Sequence, residues 1–428
     1  MLGWEFPPVF SGGLGVVTKN IAGGLRNVGV DLTLLLPKFI RDQVEEIGDP
    51  TIQQIIDGDS TVSKEVISRL RKIEVPTSIS SPYISETKYS ELFESWTEFS
   101  TNQSTTKKPK TKSNPKNIYG ETLLQEVDRF AVEVVASTEG QDFDVIHAHD
   151  WITAEAGLQL KWKRNIPLVL QIHATEVDRT GNMNPDSDIF HREKYAMENA
   201  DKIIAVSNYT KNILQEVYKI PGDKIEVVHN VYTKEKKYSL KEQKAVWKKD
   251  KSQFWVLFIG RVTLQKGPDY FIDVARKVIE KNKNIHFIVA GDGDMMGHMV
   301  SEVAEHNLHE NVHFLGFISS YQRDALYRFT DCCVMPSISE PFGLTAAEVA
   351  SYRTPLIVSK TCGANEVILH KLPVDFWDTD QMAEYVLALQ KYPALRRFIR
   401  NYSKDALPSD TWEDKCREMV KIYESVSN

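Results

Sequence analysis

Trp255-Val256-Leu257-Phe258-Ile259-Gly260-Arg261-Val262-Thr263-Leu264-Gln265-Lys266-Gly267-Pro268 is the stretch whose reading decides the fold. Its opening apolar run is too short for a helix and shows no polar alternation. Such a run reads as a strand buried on both faces, as in a parallel sheet covered by helices. Gly260 ends the strand, and Pro268 precedes an amphipathic helical pattern over Tyr270–Lys281. Working outward, the same alternation recurs. Further strands are read at Leu32–Leu36, which Pro37 is expected to end, and at Val145–Ala148, Leu168–Ile172 and Ile203–Val206. On the other side come His286–Ala290, Val312–Leu315, Cys332–Met335 and Pro355–Val358, with a helix over Gln322–Phe329. The expected class is α/β, with two doubly wound Rossmann-like domains facing across a cleft.

Two domains also follow from length, because single cores stop growing at roughly 250–300 residues and this chain has 428. The Lys- and Glu-rich stretch Lys234–Lys251 carries few apolar residues and reads as the linker. The expected division is 1–235, 236–405, and a C-terminal helix in 406–428 that packs back on the first domain. A polar insert at about 99–117, containing Lys107-Lys108-Pro109-Lys110-Thr111-Lys112, has too little apolar surface to order itself. It reads as a flexible surface loop or as a basic lid able to touch an acceptor or membrane transiently.

Composition excludes several classes. Apolar residues make up 42% and charged residues 26%, which is ordinary for a globular protein. A net charge of −7 opposes general nucleic-acid binding, which needs a basic surface. The four cysteines, Cys332, Cys333, Cys362 and Cys416, show no C-x-x-C spacing, so neither structural zinc nor a disulfide framework is expected. A reducing cytoplasm fits that usage. No apolar run of about 18 residues exists to span a membrane, and no secretory leader is read at the start. Only Met1–Trp4 could supply the buried strand expected before the glycine turn Gly12-Gly13-Leu14-Gly15, so a few residues of the first strand are expected to be missing upstream.

Three segments carry chemistry. Arg261 and Lys266 follow a strand at the carboxyl edge of the sheet, where open α/β sheets bind ligands. Two cations beside a helix start suit a diphosphate, although a surface Arg and Lys solvating a loop would look the same. In Ser339-Glu340-Pro341-Phe342-Gly343-Leu344-Thr345-Ala346-Ala347-Glu348, a helix is expected to start near Gly343 and offer free N–H groups. Glu340 precedes that start and Glu348 lies one turn inside. Two capping carboxylates are the plainer alternative. In His147-Ala148-His149-Asp150-Trp151, a strand end, His147 and His149 share a face, and no four-ligand metal set is visible. A dinucleotide dehydrogenase is excluded, since no G-x-G-x-x-G follows a strand with an acidic residue downstream.

The Glu-x7-Glu pattern, Gly260-Arg261-x4-Lys266-Gly267 and the strand order together resemble the GT-B glycosyltransferases, more narrowly families 4 and 5, which include bacterial and archaeal glycogen (starch) synthases. The resemblance spans nearly the whole chain outside about Glu45–Asn117. It implies a retaining hexosyltransferase acting on a nucleotide sugar, with glucose from ADP-glucose or UDP-glucose going to an α-glucan. The alternatives are a family 4 enzyme building a cell-surface polysaccharide, glycolipid or small glycoside, and a non-catalytic nucleotide-sugar binder. By resemblance, Glu340 contacts the transferred sugar and Arg261 and Lys266 neutralise the diphosphate. Backbone N–H groups of Phe342, Gly343 and Leu344 lie near sugar and phosphate, Thr345 binds phosphate, and Glu348 holds the ribose. Gly12, Gly13 and Leu14 approach the diphosphate from the other domain. His173, in Ile172-His173-Ala174-Thr175-Glu176, lies beside the reacting sugar, and Asn230 lies near the donor. Asp150 contacts sugar or acceptor, His149 and Trp151 shape the cleft, and Arg179 binds acceptor or orients Glu176.

The resemblance departs in two places. Val9 and Phe10 stand where bacterial family 5 enzymes carry a lysine, and Val231-Tyr232-Thr233 follows Asn230 in place of the usual Gly or Ala and Val-Asp. The partners implied are the donor and a glycan acceptor, with oligomeric state left open. With two cations beside the diphosphate, no metal is expected to be required, and the Asp-x-Asp pairs at Asp186/Asp188, Asp292/Asp294 and Asp378/Asp380 read as turns.

Overall fold

A computed structural model describes residues 1–5, 13–38, 70–76, 121–181, 185–232, 247, 249–250, 252–402 and 407–427. The lysine cluster at 107–112, Gly12 and the expected linker boundary at 235–236 lie outside these residues. The chain divides into two compact units, and the division is not a single cut. One unit holds 1–171, 186–203 and 419–428; the other holds 172–185 and 204–418.

In the first unit, helix α1 (Gly13–Asn27) leads into strand β1 (Leu32–Lys38). Pro37 does not end that strand: it pairs with Val75 of a parallel strand β2 (Leu70–Pro76). Proline is tolerated where the ladder does not need its missing N–H, so the expectation of a strand stopping at Leu36 was too short. Strand β2 itself has no signal among the apolar runs. Leu2 bridges both Leu35 and Ala148, so residues at the start of the chain lie between β1 and β3 (Ile146–His149). Helix α2 (Glu121–Ser137) and helix α3 (Asp150–Arg164) flank this sheet. Trp4 and Phe130 meet edge to face at 5.1 Å in the core. Strand β4 (Leu168–Ile172) runs parallel to β3, from Ile146↔Leu168 to His149↔Gln171. After β4 the chain enters the second unit with the short helix α4 (Glu176–Arg179), returns to the first in α5 (Ser187–Asn199), and crosses within β5 (Lys202–Ala205) to α6 (Asn208–Glu216) and β6 (Ile225–Val227) of the second unit. The strand order is β3-β4-β5-β6.

The second unit is organised on a six-stranded parallel sheet. Its strands are β7 (Phe254–Ile259), β8 (Ile285–Ala290), β9 (Val312–Gly316), β10 (Cys332–Met335), β11 (Leu356–Ser359) and β12 (Leu372–Val374), in the order β12-β11-β10-β7-β8-β9. Helices α7 (Pro268–Lys281), α8 (Met296–Glu305), α9 (Ser320–Phe329), α10 (Leu344–Ser351), α11 (Thr379–Lys391) and α12 (Pro393–Tyr402) connect and cover it, and α13 (Trp412–Ser427) begins in this unit and ends in the first. The strand period of two sorts side chains into two cores. Val256 and Phe258 join Phe271 and Phe287 on one face, while Trp255 and Leu257 join Ile288, Leu326 and Val349 on the other. Phe271 stands 5.2 Å from Phe258 and 5.4 Å from Phe287, ring centre to ring centre. The all-apolar runs read from the sequence are therefore two-faced strands, as a covered parallel sheet requires.

All four cysteines are free thiols and buried. Burial pushes every one of them upward in pKa, Cys362 and Cys416 to about 12.

Candidate functional site

The carboxyl edge of the six-stranded sheet gathers the sequence motifs. Strand β7 ends at Gly260 with φ 139°, and Arg261 follows, exposed to solvent. A single 3-10 turn, Leu264–Lys266, then reverses the chain before α7. It reverses at Gly267, φ 66°, where a side chain would strike the carbonyl oxygen of Pro336 at 2.1 Å. That close approach sets Lys266 beside the loop leaving β10. Lys266 Nζ donates to Glu340 Oε2 in an ion pair that is largely buried on both sides. Ser337 lies at 3.5 Å from the same oxygen.

The loop from β10 is fixed by backbone bonds. Glu340 N–H donates to Thr361 O at 2.9 Å, and Gly363 N–H donates to Glu340 O at 2.9 Å. Gly343 then turns into the left-handed region, φ 90°, and α10 begins at Leu344. A Cβ at Gly343 would sit 2.8 Å from Cys362 Sγ and 2.9 Å from Glu340 Cγ. Leu344 and Thr345 occupy the first turn, whose N–H groups have no acceptor within the helix. Phe342 is buried, with its ring 6.4 Å from that of His229. Glu348, one turn on, accepts a hydrogen bond from Tyr327 Oη at 2.7 Å, and Arg323 Nε lies 3.8 Å from it. The result is a carboxylate and an ammonium in contact, a second cation exposed nearby in sequence, and a helix start. Positive charge and free donors at such a point suit a diphosphate, and the carboxylates suit sugar hydroxyls.

The segment 172–185 belongs to this same unit and packs on the Glu340 loop. Thr175 caps helix α4 in a reciprocal box with Asp178. Asp178 Oδ2 accepts from Thr175 N at 2.7 Å and Thr175 Oγ1 at 2.8 Å, while Ser339 Oγ donates to Asp178 Oδ1. Burial raises the Asp178 carboxyl above the ordinary range despite those bonds. Tyr209 Oη and Ser339 Oγ are 2.9 Å apart, and burial lifts the tyrosine to about 12. Ser207 Oγ and Thr210 Oγ1 both donate to Pro341 O. His173 is half-buried at the end of β4, and Arg179 lies 3.7 Å from the fully buried Glu176 while donating to Ala174 O at 2.8 Å. Asn230 is buried, and among the described residues its Oδ1 has no hydrogen-bond partner.

Glu366 organises the far side of this loop. It accepts from Asn208 N, Asn208 Nδ2 and Tyr209 N at 2.8–2.9 Å and contacts His229 Nε2 at 2.6 Å. Burial alone would raise its pKa, but these donors bring it down from 4.5 to about 2.

In the other unit, Gly13 and Leu14 open α1, and β3 ends at His149. Asp150 begins α3 at φ 55°, a left-handed angle that non-glycine residues adopt at a cost, and is 1% exposed. His149 N–H donates to Thr153 Oγ1 at 2.7 Å, and Trp151 is buried. The rings of His147 and His149 lie 4.4 Å apart on one face, and His147 Nδ1 lies 2.8 Å from Tyr423 Oη. Among the described residues, no group of three or more His, Cys, Asp or Glu is placed to hold a metal. Asp186 and Asp378 each cap a helix with their side chains, and Asp292 accepts from Gly293 N at 2.8 Å.

Sequence reasoning passed over Asp178, Ser339, Tyr209, Ser207 and Glu366, which hold the loop carrying Glu340. One signal was present: Thr175-x-x-Asp178 is a capping box. The other four act over more than 125 residues of chain, and no local pattern marks them.

Two family models match. Glycosyltransferase Family 4 covers residues 111–235, and Glycosyl transferases group 1 covers 239–406, the span holding Arg261, Lys266, Glu340 and Glu348. The chain belongs to the GT-B glycosyltransferases of the family 4/5 type. This glycosyltransferase is 27% identical to an uncharacterized glycosyltransferase of Methanocaldococcus jannaschii, over 99% of this chain and 97% of that one. It is 25% identical to the glycogen synthase of Mycobacterium tuberculosis, over 65% of this chain and 68% of the synthase. In fold, the glycosyltransferase is similar to the sucrose-phosphate synthase of Thermosynechococcus elongatus, with a TM-score of 0.69 at 19% identity, covering 99% of this chain and 95% of that one. It is also similar to the Anabaena protein HepE solved with UDP-glucose, with a TM-score of 0.65 at 14% identity over 98% and 99% of the chains. Among the described residues, no helix is long and apolar enough to cross a membrane.

Proposed function

We propose that this glycosyltransferase moves glucose from ADP-glucose or UDP-glucose, with retention, to an α-glucan acceptor in the cytoplasm. The observation that carries the reading is the Lys266–Glu340 contact beside the start of α10. Lys266 and Arg261 neutralise the leaving diphosphate, and the first N–H groups of α10, including those of Leu344 and Thr345, receive its oxygens. Gly343, unable to carry a side chain there, keeps the backbone open to the ligand. Glu340 faces the transferred sugar, and Glu348 takes the ribose. Fixed donors and charges stabilise the developing negative charge without reorganising, which usually contributes more to catalysis than any other effect. On that account the two cations stand in for a divalent ion, and turnover persists in EDTA. Gly12, Gly13, Leu14, His149, Asp150, Trp151, His173, Glu176, Arg179 and Asn230 keep the donor and acceptor roles that the family resemblance implies.

Support for glucose and a glucan comes from the glycogen synthase likeness and from UDP-glucose in the HepE structure. A second reading, a family 4 enzyme making a surface glycan or small glycoside, draws on the α-D-kanosaminyltransferase of Streptomyces kanamyceticus, 23% identical over 59% of this chain. Thermal denaturation against a panel of nucleotide sugars tests the donor, since a ligand at 100 times its Kd stabilises by about 2.7 kcal/mol. ADP-glucose or UDP-glucose is expected to give the largest rise. Incorporation of labelled glucose into glycogen then separates the two readings: donor hydrolysis or transfer only to small acceptors would overturn the glucan assignment.

A further inference from the structure

The amino edge of the six-stranded sheet, opposite the edge that carries Arg261 and Glu340, holds a polar cavity. It is open on one side, has a volume of about 410 Å³, and lies where β7 begins at Phe254 and β10 is entered through Asp331. Lys249, Arg328, Arg396 and Arg400 line it, against only two carboxylates, Asp250 and Asp331. One carboxylate is already engaged: Asp331 accepts from Lys249 Nζ and from Trp255 N at 2.9 Å, with Arg396 Nε at 3.8 Å. Asp250 is spent on Ser252, whose N and Oγ donate to it at 2.8 and 2.6 Å.

The cations are therefore in excess, in a chain whose net charge is −7. They are also held in place. Arg396 lies over the Phe254 ring at 5.2 Å, Arg328 over Tyr352 at 5.1 Å, and Arg400 Nη2 donates to Thr330 O at 2.6 Å. Among the described residues, the buried Nε atoms of Arg328 and Arg400 have no hydrogen-bond partner. Burial lowers the pKa of Lys249 and Arg400, and the neighbouring guanidinium of Arg396 lowers both further. A balanced ion-pair network would have a carboxylate for each cation, whereas this cavity sets four cations against two carboxylates that are already engaged.

We propose that this cavity is a second anion site, taking a dianionic phosphate group, either inorganic phosphate or the phosphate of a small metabolite. Planar guanidinium forks match phosphate oxygens, and 410 Å³ leaves room beyond the phosphate itself. The site is separate from the donor edge, since strand β7 alone rises about 17 Å between them.

Isothermal titration calorimetry with inorganic phosphate tests the assignment on the full chain, with glycerol 3-phosphate as a second arm. The wild type and Lys266→Gln, which alters the donor edge, are expected to bind phosphate alike. Arg400→Gln and Lys249→Gln are expected to bind about tenfold more weakly, the effect of losing one charged hydrogen bond. Arg328→Gln repeats the measurement on a side chain held over the Tyr352 ring, should the other variants unfold. Tighter binding of the ester assigns an organic metabolite; equal binding assigns the phosphate alone. Absence of binding heat in the wild type, equal affinity in the Arg400, Lys249 and Arg328 variants, or loss of binding only in Lys266→Gln would overturn the proposal.

Discussion

Lys266 and Glu340 illustrate what a single pair does in a nearly dry place. Removing Lys266 takes away its ion pair and leaves the largely buried Glu340 carboxylate, among the described residues, with the 3.5 Å contact to Ser337. Lys266→Ala is expected to cost about 1–3 kcal/mol of stability, measured by urea unfolding, and to lower turnover about 10²–10³-fold as for loss of one preorganised charge. Turnover within threefold of wild type would remove Lys266 from the mechanism. Glu366 gives a prediction in pH. Its folded pKa of about 2 lies below the ordinary 4.5, so its stabilisation is complete above 4.5 and is lost as pH falls towards 2. Glu366→Gln is expected to melt lower at neutral pH and to show a flatter acid limb between those values. Parallel melting curves for the two proteins across that range would contradict this. The carboxylates of the motif were legible because spacing to a helix start is local. Glu366 was not, because its three partners Asn208, Tyr209 and His229 lie 137 to 158 residues away.

Among elements, the short helix α10 shows how much depends on one backbone angle. Gly343→Ala forces a side chain into the left-handed region and against Cys362 and Glu340. The strain is expected to cost about 1–3 kcal/mol and to displace the helix start, weakening donor binding more than it lowers Tm. Donor affinity unchanged by the substitution would show that the helix start does not touch ligand. At β8, Phe287→Ala opens the Phe258–Phe271–Phe287 cluster and is expected to lower stability by about 3–5 kcal/mol, readable from the same urea titration. Strands β7, β10 and β11 were legible because their runs are apolar and buried on both faces. Strand β6 and the edge strand β12 are three residues long and offer no run to read. Strand β2 carries Arg71, Lys72 and Glu74, whose charges hide it. Pro37 misled because proline usually breaks a strand, whereas here the strand continues to Lys38.

For the whole molecule, the division of the chain has a testable cost. Residues 172–185 belong with 204–418, and Asp178 and Gly181 cover Ser339 and Ile338 of the Glu340 loop. A fragment limited to the matched span 239–406 lacks that cover, together with Ser207 and Tyr209. It is expected to unfold at lower urea than the intact chain and to lose hydrogen-exchange protection first at 336–343. Equal midpoints would show that the loop needs no such support. The two-domain α/β class could be read from alternation and length. The return of 172–185 to the later part of the chain could not, since no local feature of that segment declares its neighbours.

The burial of every cysteine has a practical reach. Thiolates are the species that alkylating dyes attack, and all four native thiols are shielded and held protonated at neutral pH. A fluorophore maleimide should therefore ignore the natural sequence and couple to a single cysteine introduced at an exposed site such as Lys281 or Glu139. The native background needs no editing before fluorescence or spin-label probes are attached to follow the protein as it meets donor.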